Sequence, residues 1–356
     1  MIEQVLHDGE VLVRRLGALH RLTLNRPNAL NALTLGMAET MTAQLRAWAD
    51  DEAVGAVLID GAGERGLCAG GDLRALHDAA RRKDYLLPQC FWSAEYHLDL
   101  LIAHYPKPVI AAMDGMVMGG GVGISAHAAH RVVTERSAIA MPEVGIGYFP
   151  DVGACFALAR APGETGTHLA LTGERVGAAD AIYCGLADAH IPARELGGLP
   201  ALLADCRTAA AVRERLAQIS VAPTPGRLPA ARAWIDACYG TDAVEDIVAR
   251  LRACALEAAT AARATLQAAS PTSLKITLRN LRSALSFRRI EQSFQQDYRI
   301  SLACIAGHDF IEGIRAAIVD KDRKPVWRPD RLEDVTTDIV EGYFRPVGAL
   351  ELTFPQ

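Results

Sequence analysis

Two glycine turns and three acidic residues carry the residue types that chemistry needs. The turns are Ala69-Gly70-Gly71-Asp72 and Gly119-Gly120-Gly121-Val122-Gly123. Each follows an apolar run and opens a helical pattern. Backbone N–H groups at a helix N-terminus lack acceptors and carry positive partial charge. Two of them aimed at one oxygen would form an oxyanion hole, and glycine lets a carbonyl approach closely. Read singly, each loop is only a tight turn. Neither has the spacing of a dinucleotide fingerprint with its acidic residue. The third feature is Met141-Pro142-Glu143-Val144-Gly145-Ile146-Gly147-Tyr148-Phe149-Pro150-Asp151-Val152-Gly153. Apolar neighbours flank Glu143, which predicts a raised pKa suited to acid–base or nucleophilic work. Asp151, read alone, caps a helix over 153–160. Glu95 lies in a helical stretch and, read alone, is an exposed helix charge. His127 and His130 read as structural. No His, Glu or Cys cluster has metal-ligand spacing, so neither a metal nor a separate cofactor is expected.

These residues need a scaffold. Runs 11–13 and 18–24 read as strands of a meander ending at Asn25-Arg26-Pro27-Asn28. Thr34 caps a helix to about residue 50, with Met37, Met41, Leu45 and Trp48 at helical spacing. A strand over 54–60, a helix from Asp72, and a helix over 91–105 follow. Val109-Ile110-Ala111-Ala112-Met113 is apolar without alternation, as in a strand covered on both faces. A helix over 124–129 and two short strands, 131–134 and 138–141, complete a strand–turn–helix repetition that implies an α/β layered core. Beyond about 195 the chain is Ala-rich with helical periodicity over 201–219, 230–269, 274–305 and 308–319, the second run interrupted at Gly240-Thr241-Asp242. The expected division is therefore a core over 1–195 and a mostly helical region over 196–356, with an insertion at about 196–269 and a tail at about 270–356.

Composition narrows the class. The 356 residues are 50% apolar and 22% charged, so disorder and a disulfide mini-protein are excluded. A net charge of −5 disfavours nucleic acid as a partner. The eight cysteines are scattered without a CxxC pair, which suits reduced thiols and a cytoplasmic location. The N-terminus has no signal-peptide pattern, and no run is long and apolar enough for a membrane span.

Several segments together resemble a known family. Leu24-Asn25-Arg26-Pro27 with Asn28-Ala29-Leu30, Cys68-Ala69-Gly70-Gly71-Asp72, Met118-Gly119-Gly120-Gly121, Met141-Pro142-Glu143 and Leu171-Thr172-Gly173 match the enoyl-CoA hydratase/isomerase (crotonase) superfamily in order and spacing. Phe149-Pro150-Asp151-Val152-Gly153, the 307–316 segment and the 320–327 segment resemble its 3-hydroxyisobutyryl-CoA hydrolase branch. The resemblance implies a spiral of ββα turns, a helical C-terminal region that often builds trimers, and an acyl-CoA substrate. It assigns an oxyanion hole to the N–H groups of Gly71 and Gly120, catalysis to Glu143 and Asp151, and substrate contact to Glu95, Gly120, Glu143 and Asp151.

One departure bears on the reaction. Where hydratases of this superfamily place their first glutamate, two residues after the triple glycine, this chain has Gly123. The implied reaction is therefore hydrolysis of a short 3-hydroxyacyl-CoA, 3-hydroxyisobutyryl-CoA of valine breakdown. Glu143 would act there as nucleophile or as base to a water. The rivals are an enoyl-CoA or dienoyl-CoA isomerase or hydratase of the same fold, and a catalytically silent acyl-CoA-binding protein.

Overall fold

The computed structural model describes residues 2–354. Its strands are β1 (Ile2–Leu6), β2 (Val11–Leu16), β3 (Leu19–Leu24), β4 (Ala56–Gly61), β5 (Gly66–Cys68), β6 (Val109–Met113), β7 (Met116–Met118), β8 (His130–Val133), β9 (Ala138–Ala140) and β10 (Ala189–His190). Helices α1 (Leu35–Ala49), α2 (Leu73–Arg81), α3 (Leu86–Ala103), α4 (Gly120–Ala126), α5 (Ala154–Leu158), α6 (Thr165–Thr172) and α7 (Ala178–Tyr183) alternate with them. The rest is helical: α8 (Leu199–Leu203), α9 (Ala209–Ile219), α10 (Leu228–Tyr239), α11 (Val244–Ala253), α12 (Glu257–Ala268), α13 (Pro271–Ala284), α14 (Ile290–Ala306), α15 (Asp309–Ile314) and α16 (Thr337–Gly342).

The large sheet runs β1-β2-β3-β4-β6-β8-β10 and the small one β5-β7-β9. β1 to β3 form an antiparallel meander, and the later strands of the large sheet add in parallel. Consecutive strands alternate between the two sheets: β4 then β5, β6 then β7, β8 then β9. Each pair is followed by helix, which is the expected ββα spiral. Local signals explain the elements. Thr34 caps α1 by accepting the Met37 N–H at 3.2 Å, and Asp72 caps α2 by accepting that of Ala75 at 3.2 Å. β6 is buried at all five positions, as a parallel strand covered on both faces must be.

Compactness divides the chain into two interleaved units rather than at residue 195. The first runs to Gly71 and adds Ala94–Ile139 and Val176–Gly226. The second comprises Asp72–Ser93, Ala140–Arg175 and Arg227–Gln356. The departure from the expected boundary has a plain cause. Leu199, Leu203, Val212 and Leu216 of α8 and α9 are buried against Leu58, Ile110 and Val132 of the large sheet. Helical texture does not reveal which layer a helix covers. The long helical runs are also broken: 230–269 belongs to three helices and 274–305 to two.

In the second unit, the 3-10 turn Glu143–Ile146 and α15 approach backbone to backbone. Gly147 closes the turn at φ +72°, and a Cβ there would strike the carbonyl of Asp309. Gly313 on α15 faces the backbone of Ile146 in the same way. We expect Gly147→Ala to destabilise the protein by more than about 1 kcal/mol, since a left-handed backbone and a backbone collision both oppose a methyl group. Urea unfolding measures it, and a midpoint equal to that of the parent would refute the close approach.

Candidate functional site

The first unit gathers backbone donors. After β5 the chain turns through Gly70 at φ +115° to reach Gly71, and after β7 through Gly119 at φ +49° to open α4 at Gly120. The first N–H groups of α4 have no acceptor within the helix. A Cβ built on Gly120 would collide with Glu95 Oε1 and lie 3.6 Å from the N–H nitrogen of Gly71. Gly71, Gly120 and the Glu95 carboxylate therefore border one small space. Glu95 is 2% exposed, so the reading of an exposed helix charge does not hold. Gly123 is buried within α4 and supplies no carboxylate. Cys68 donates to the Gly70 carbonyl at 3.4 Å, and burial pushes its thiol up to about 12, so it is no nucleophile at neutral pH.

The second unit gathers carboxylates. Glu143 is 7% exposed, and among the described residues its Oε2 has no hydrogen-bond partner. Burial, and then the negative charge of Asp151, hold its pKa well above the ordinary carboxylate range. Asp151 is buried too and does not cap a helix. The N-cap of α5 is Gly153, without a side-chain bond, and Asp151 Oδ2 instead accepts the Tyr148 hydroxyl at 3.2 Å. Tyr148 is fixed by stacking on Trp92 at 5.9 Å and on Phe310 at 4.4 Å between ring centres.

Sequence reading missed Tyr148, Asn280, Asp297 and Ser301, which surround these carboxylates. Asp297 accepts the Gly153 N–H at 2.9 Å and the Asn280 amide at 3.0 Å. A signal existed: Ser293, Asp297 and Ser301 recur every fourth residue on α14, and all three are fully buried. A cavity of about 500 Å³ in the same unit is lined by none of them. Its Lys275, Arg279 and Arg282 pair with Glu245, Glu341 and Glu164. Among the described residues no group of three His, Cys, Asp or Glu side chains could hold a metal, and no helix is long and apolar enough to cross a membrane.

Two sheets sharing a ββα spiral, with a glycine-opened helix after β7, define a protein of the crotonase fold. The enoyl-CoA hydratase/isomerase family profile matches residues 19–344, and the chain belongs to that family. It is 38% identical over 361 residues to 3-hydroxyisobutyryl-CoA hydrolase, mitochondrial, of Xenopus laevis, covering 99% of this chain and 93% of that one. The human protein of the same name is 36% identical, covering 97% and 91%. Among solved structures, a carnitinyl-CoA dehydratase from Mycobacterium thermoresistibile superposes with TM-score 0.92 at 46% identity, covering 98% of this chain and 99% of that one. An enoyl-CoA hydratase from Rhodobacter sphaeroides 2.4.1 gives 0.90 at 41%, covering 97% and 100%.

The relatives' names overturn the cytoplasmic expectation, since these hydrolases are named mitochondrial. Scattered free thiols separate reducing from oxidising surroundings and do not tell one reducing compartment from another.

The raised pKa of Glu143 has a signed consequence for stability. The folded state keeps the proton to a higher pH than the unfolded chain, where the group titrates near 4.5. Unfolding therefore releases a proton, and this group's contribution falls as pH rises above that value. Glu143→Gln removes the slope. We expect its melting temperature to exceed the parent's at about pH 8, with the gap closing as the pH drops to 4.5. Thermal melts in a buffer series measure this; equal melting temperatures at pH 8 would sink the buried-acid assignment.

Proposed function

We propose that this chain hydrolyses a short 3-hydroxyacyl-CoA thioester, 3-hydroxyisobutyryl-CoA, to 3-hydroxyisobutyrate and CoA, as in valine breakdown. The observation that carries the reading is Gly123, buried in α4 where a hydratase of this family places its first glutamate. Relatives named for that hydrolysis, matching nearly the full chain, support it.

The chemistry follows from the residues of each unit. The N–H groups of Gly71 and Gly120 form an oxyanion hole and stabilise the charge on the thioester oxygen. One such donor is worth about 10²- to 10³-fold in rate. Glu143 delivers the attack, directly on the thioester carbon or by taking a proton from water. Both routes start from its ionised form. The carbon–sulfur bond then breaks, and the thiolate of CoA takes a proton that Asp151 helps to supply; on the direct route water then cleaves the acyl–Glu143 anhydride, which releases the acid and restores the carboxylate. Glu95 contacts the substrate, and Asp151 assists the proton transfer or binds the substrate hydroxyl. No resident cofactor is needed, because CoA arrives as part of the substrate. The helical C-terminal region builds a homo-oligomer, a trimer or a multiple of one, in this reading.

A second reading draws on the solved neighbours. Two structures above 40% identity are titled dehydratase and hydratase, so loss or addition of water is the competing chemistry. Thiol release and enoyl absorbance separate the two. We expect thiol release from 3-hydroxyisobutyryl-CoA, negligible hydration of crotonyl-CoA, and near-complete loss of hydrolysis in Glu143→Gln. Isobutyryl-CoA, lacking the hydroxyl, should be poorer by at least about tenfold, because a buried carboxylate loses its partner. Robust crotonyl-CoA hydration without thiol release would transfer the chain to the second reading.

Gly120 provides a further check. Proline is tolerated at the first helical position and removes the N–H there, and its Cβ also meets Glu95 Oε1, so the end of that side chain must shift. Gly120→Pro should fold, and lose about 10²- to 10³-fold in kcat. A folded variant with parental turnover would show that this N–H does not serve the thioester.

A further inference from the structure

The loop that presents Asp151 is strained. Val152 has φ +52°, a left-handed conformation that a β-branched residue rarely adopts, and Gly153 follows at φ +71°. Such a geometry persists only where surrounding bonds over-determine it. Helix α14 supplies two of these bonds, one helical turn apart. Asp297 Oδ2 accepts the N–H of Gly153 at 2.9 Å, immediately after the strained residue. Its Oδ1 accepts the Asn280 amide at 3.0 Å, and Asn280 in turn accepts from Gln296. Ser301 Oγ lies 2.5 Å from the Tyr148 hydroxyl, which donates to Asp151 Oδ2.

We propose that Asp297 is a positioning residue: by holding the Gly153 N–H, and with Ser301 holding Tyr148, it keeps Val152 left-handed and sets the direction of the Asp151 carboxylate. The proposal deepens the functional reading above and rests on it for the role of Asp151. Asp297 touches no reacting atom and acts through the loop alone. The groups facing it are the Gly153 N–H and Asp151 from the loop, Cys155 from α5, Asn280 from α13 and Ser293 from its own helix. Burial holds its carboxyl up to about 8, against the bonds from Asn280 and Gly153, and the charge of Asp151 adds to the rise. Near neutral pH the acid is thus uncharged and binds without repelling Asp151. When it ionises, a negative charge appears beside Asp151.

The experiment follows kcat and KM for thiol release from 3-hydroxyisobutyryl-CoA between about pH 6 and pH 10. The proteins are the parent, Asp297→Asn and Ser301→Ala, each checked for folding by thermal melt. A crystal structure of Asp297→Ala is determined alongside. Ionisation of Glu143 makes kcat rise with pH in every variant, and the parent's kcat should show a further bend near pH 8, where Asp297 ionises. Asp297→Asn should lose that bend and at least tenfold in kcat, with KM within threefold, because substrate binding is left intact. Ser301→Ala, which removes one hydroxyl, should lose severalfold in kcat and keep the bend. In the alanine variant Val152 should leave the left-handed region.

Parental kcat with a retained bend in Asp297→Asn overturns the proposal, as does an unmoved Val152 in the alanine structure. If the Asp297 variants do not fold, the Ser301→Ala kinetics decide, and parental kcat there overturns it. A parent that releases no thiol sinks the functional reading instead, and the conformation of Val152 then decides the positioning claim by itself.

Discussion

Burying carboxylates is the constraint around which the helical unit is organised. An ionised carboxylate loses several kcal/mol of hydration when taken out of water, and neighbouring charges of the same sign add to that loss. Glu143, Asp151 and Asp297 are all at most 7% exposed. The structure meets the difficulty in two ways. It raises the pKa values of Glu143 and Asp297 through burial, so each holds its proton to a higher pH than a solvated carboxyl group. It also gives two of the three carboxylates fixed donors, the Tyr148 hydroxyl for Asp151 and the Gly153 and Asn280 N–H groups for Asp297. Glu143 Oε2 alone is left without a bond, and an unsatisfied buried oxygen is free for chemistry.

The sheet unit solves a complementary problem. It must leave backbone donors open without letting side chains fill the space before them. Glycine does this at both turns. Gly70 and Gly119 adopt positive φ, and the absent Cβ of Gly121 lets α4 begin directly against the Cys68 carbonyl. The carboxylate of this unit, Glu95, reaches the Gly120 position from another helix.

Signals confined to neighbouring residues were legible in the sequence. The cap Thr34, the helix start at Asp72, the unalternating strand 109–113 and the apolar flanks of Glu143 each state a local environment, and the structure shows those environments. Relations between distant segments were not legible. Asp151 has the spacing of a helix cap, yet its carboxylate is captured by Tyr148, which no propensity reveals. Glu95 looks like a surface charge until the Gly120 turn is folded against it. Asp297 reads as one polar position in a long amphipathic helix, and its role needs the loop 148–153, which lies about 150 residues away in the chain. The 195 boundary failed for the same reason, since α8 and α9 join the sheet layer through side chains that look like any helical face.

Similarity in sequence does not by itself choose between hydrolysis and water addition. The dehydratase at 46% identity and the hydrolases at 36 to 39% all fall within one fold, and a fold hosts several chemistries. The placement of acids distinguishes them better. Adding water across a double bond needs one group to polarise water and another to protonate the α-carbon, on a substrate held flat against the donors. In this chain the glycine-opened helix carries Gly123 in place of an acid, and the carboxylate beside Gly120 is anchored on α3. A carboxylate wedged beside the donor turn is suited to accepting a hydrogen bond from a substrate hydroxyl. A single desolvated glutamate in the helical unit is suited to attack on a thioester carbon, because desolvation raises both its pKa and its nucleophilicity once it ionises. The proposed division of roles, recognition by Glu95 and attack by Glu143, would account for both acids without requiring a partner at position 123.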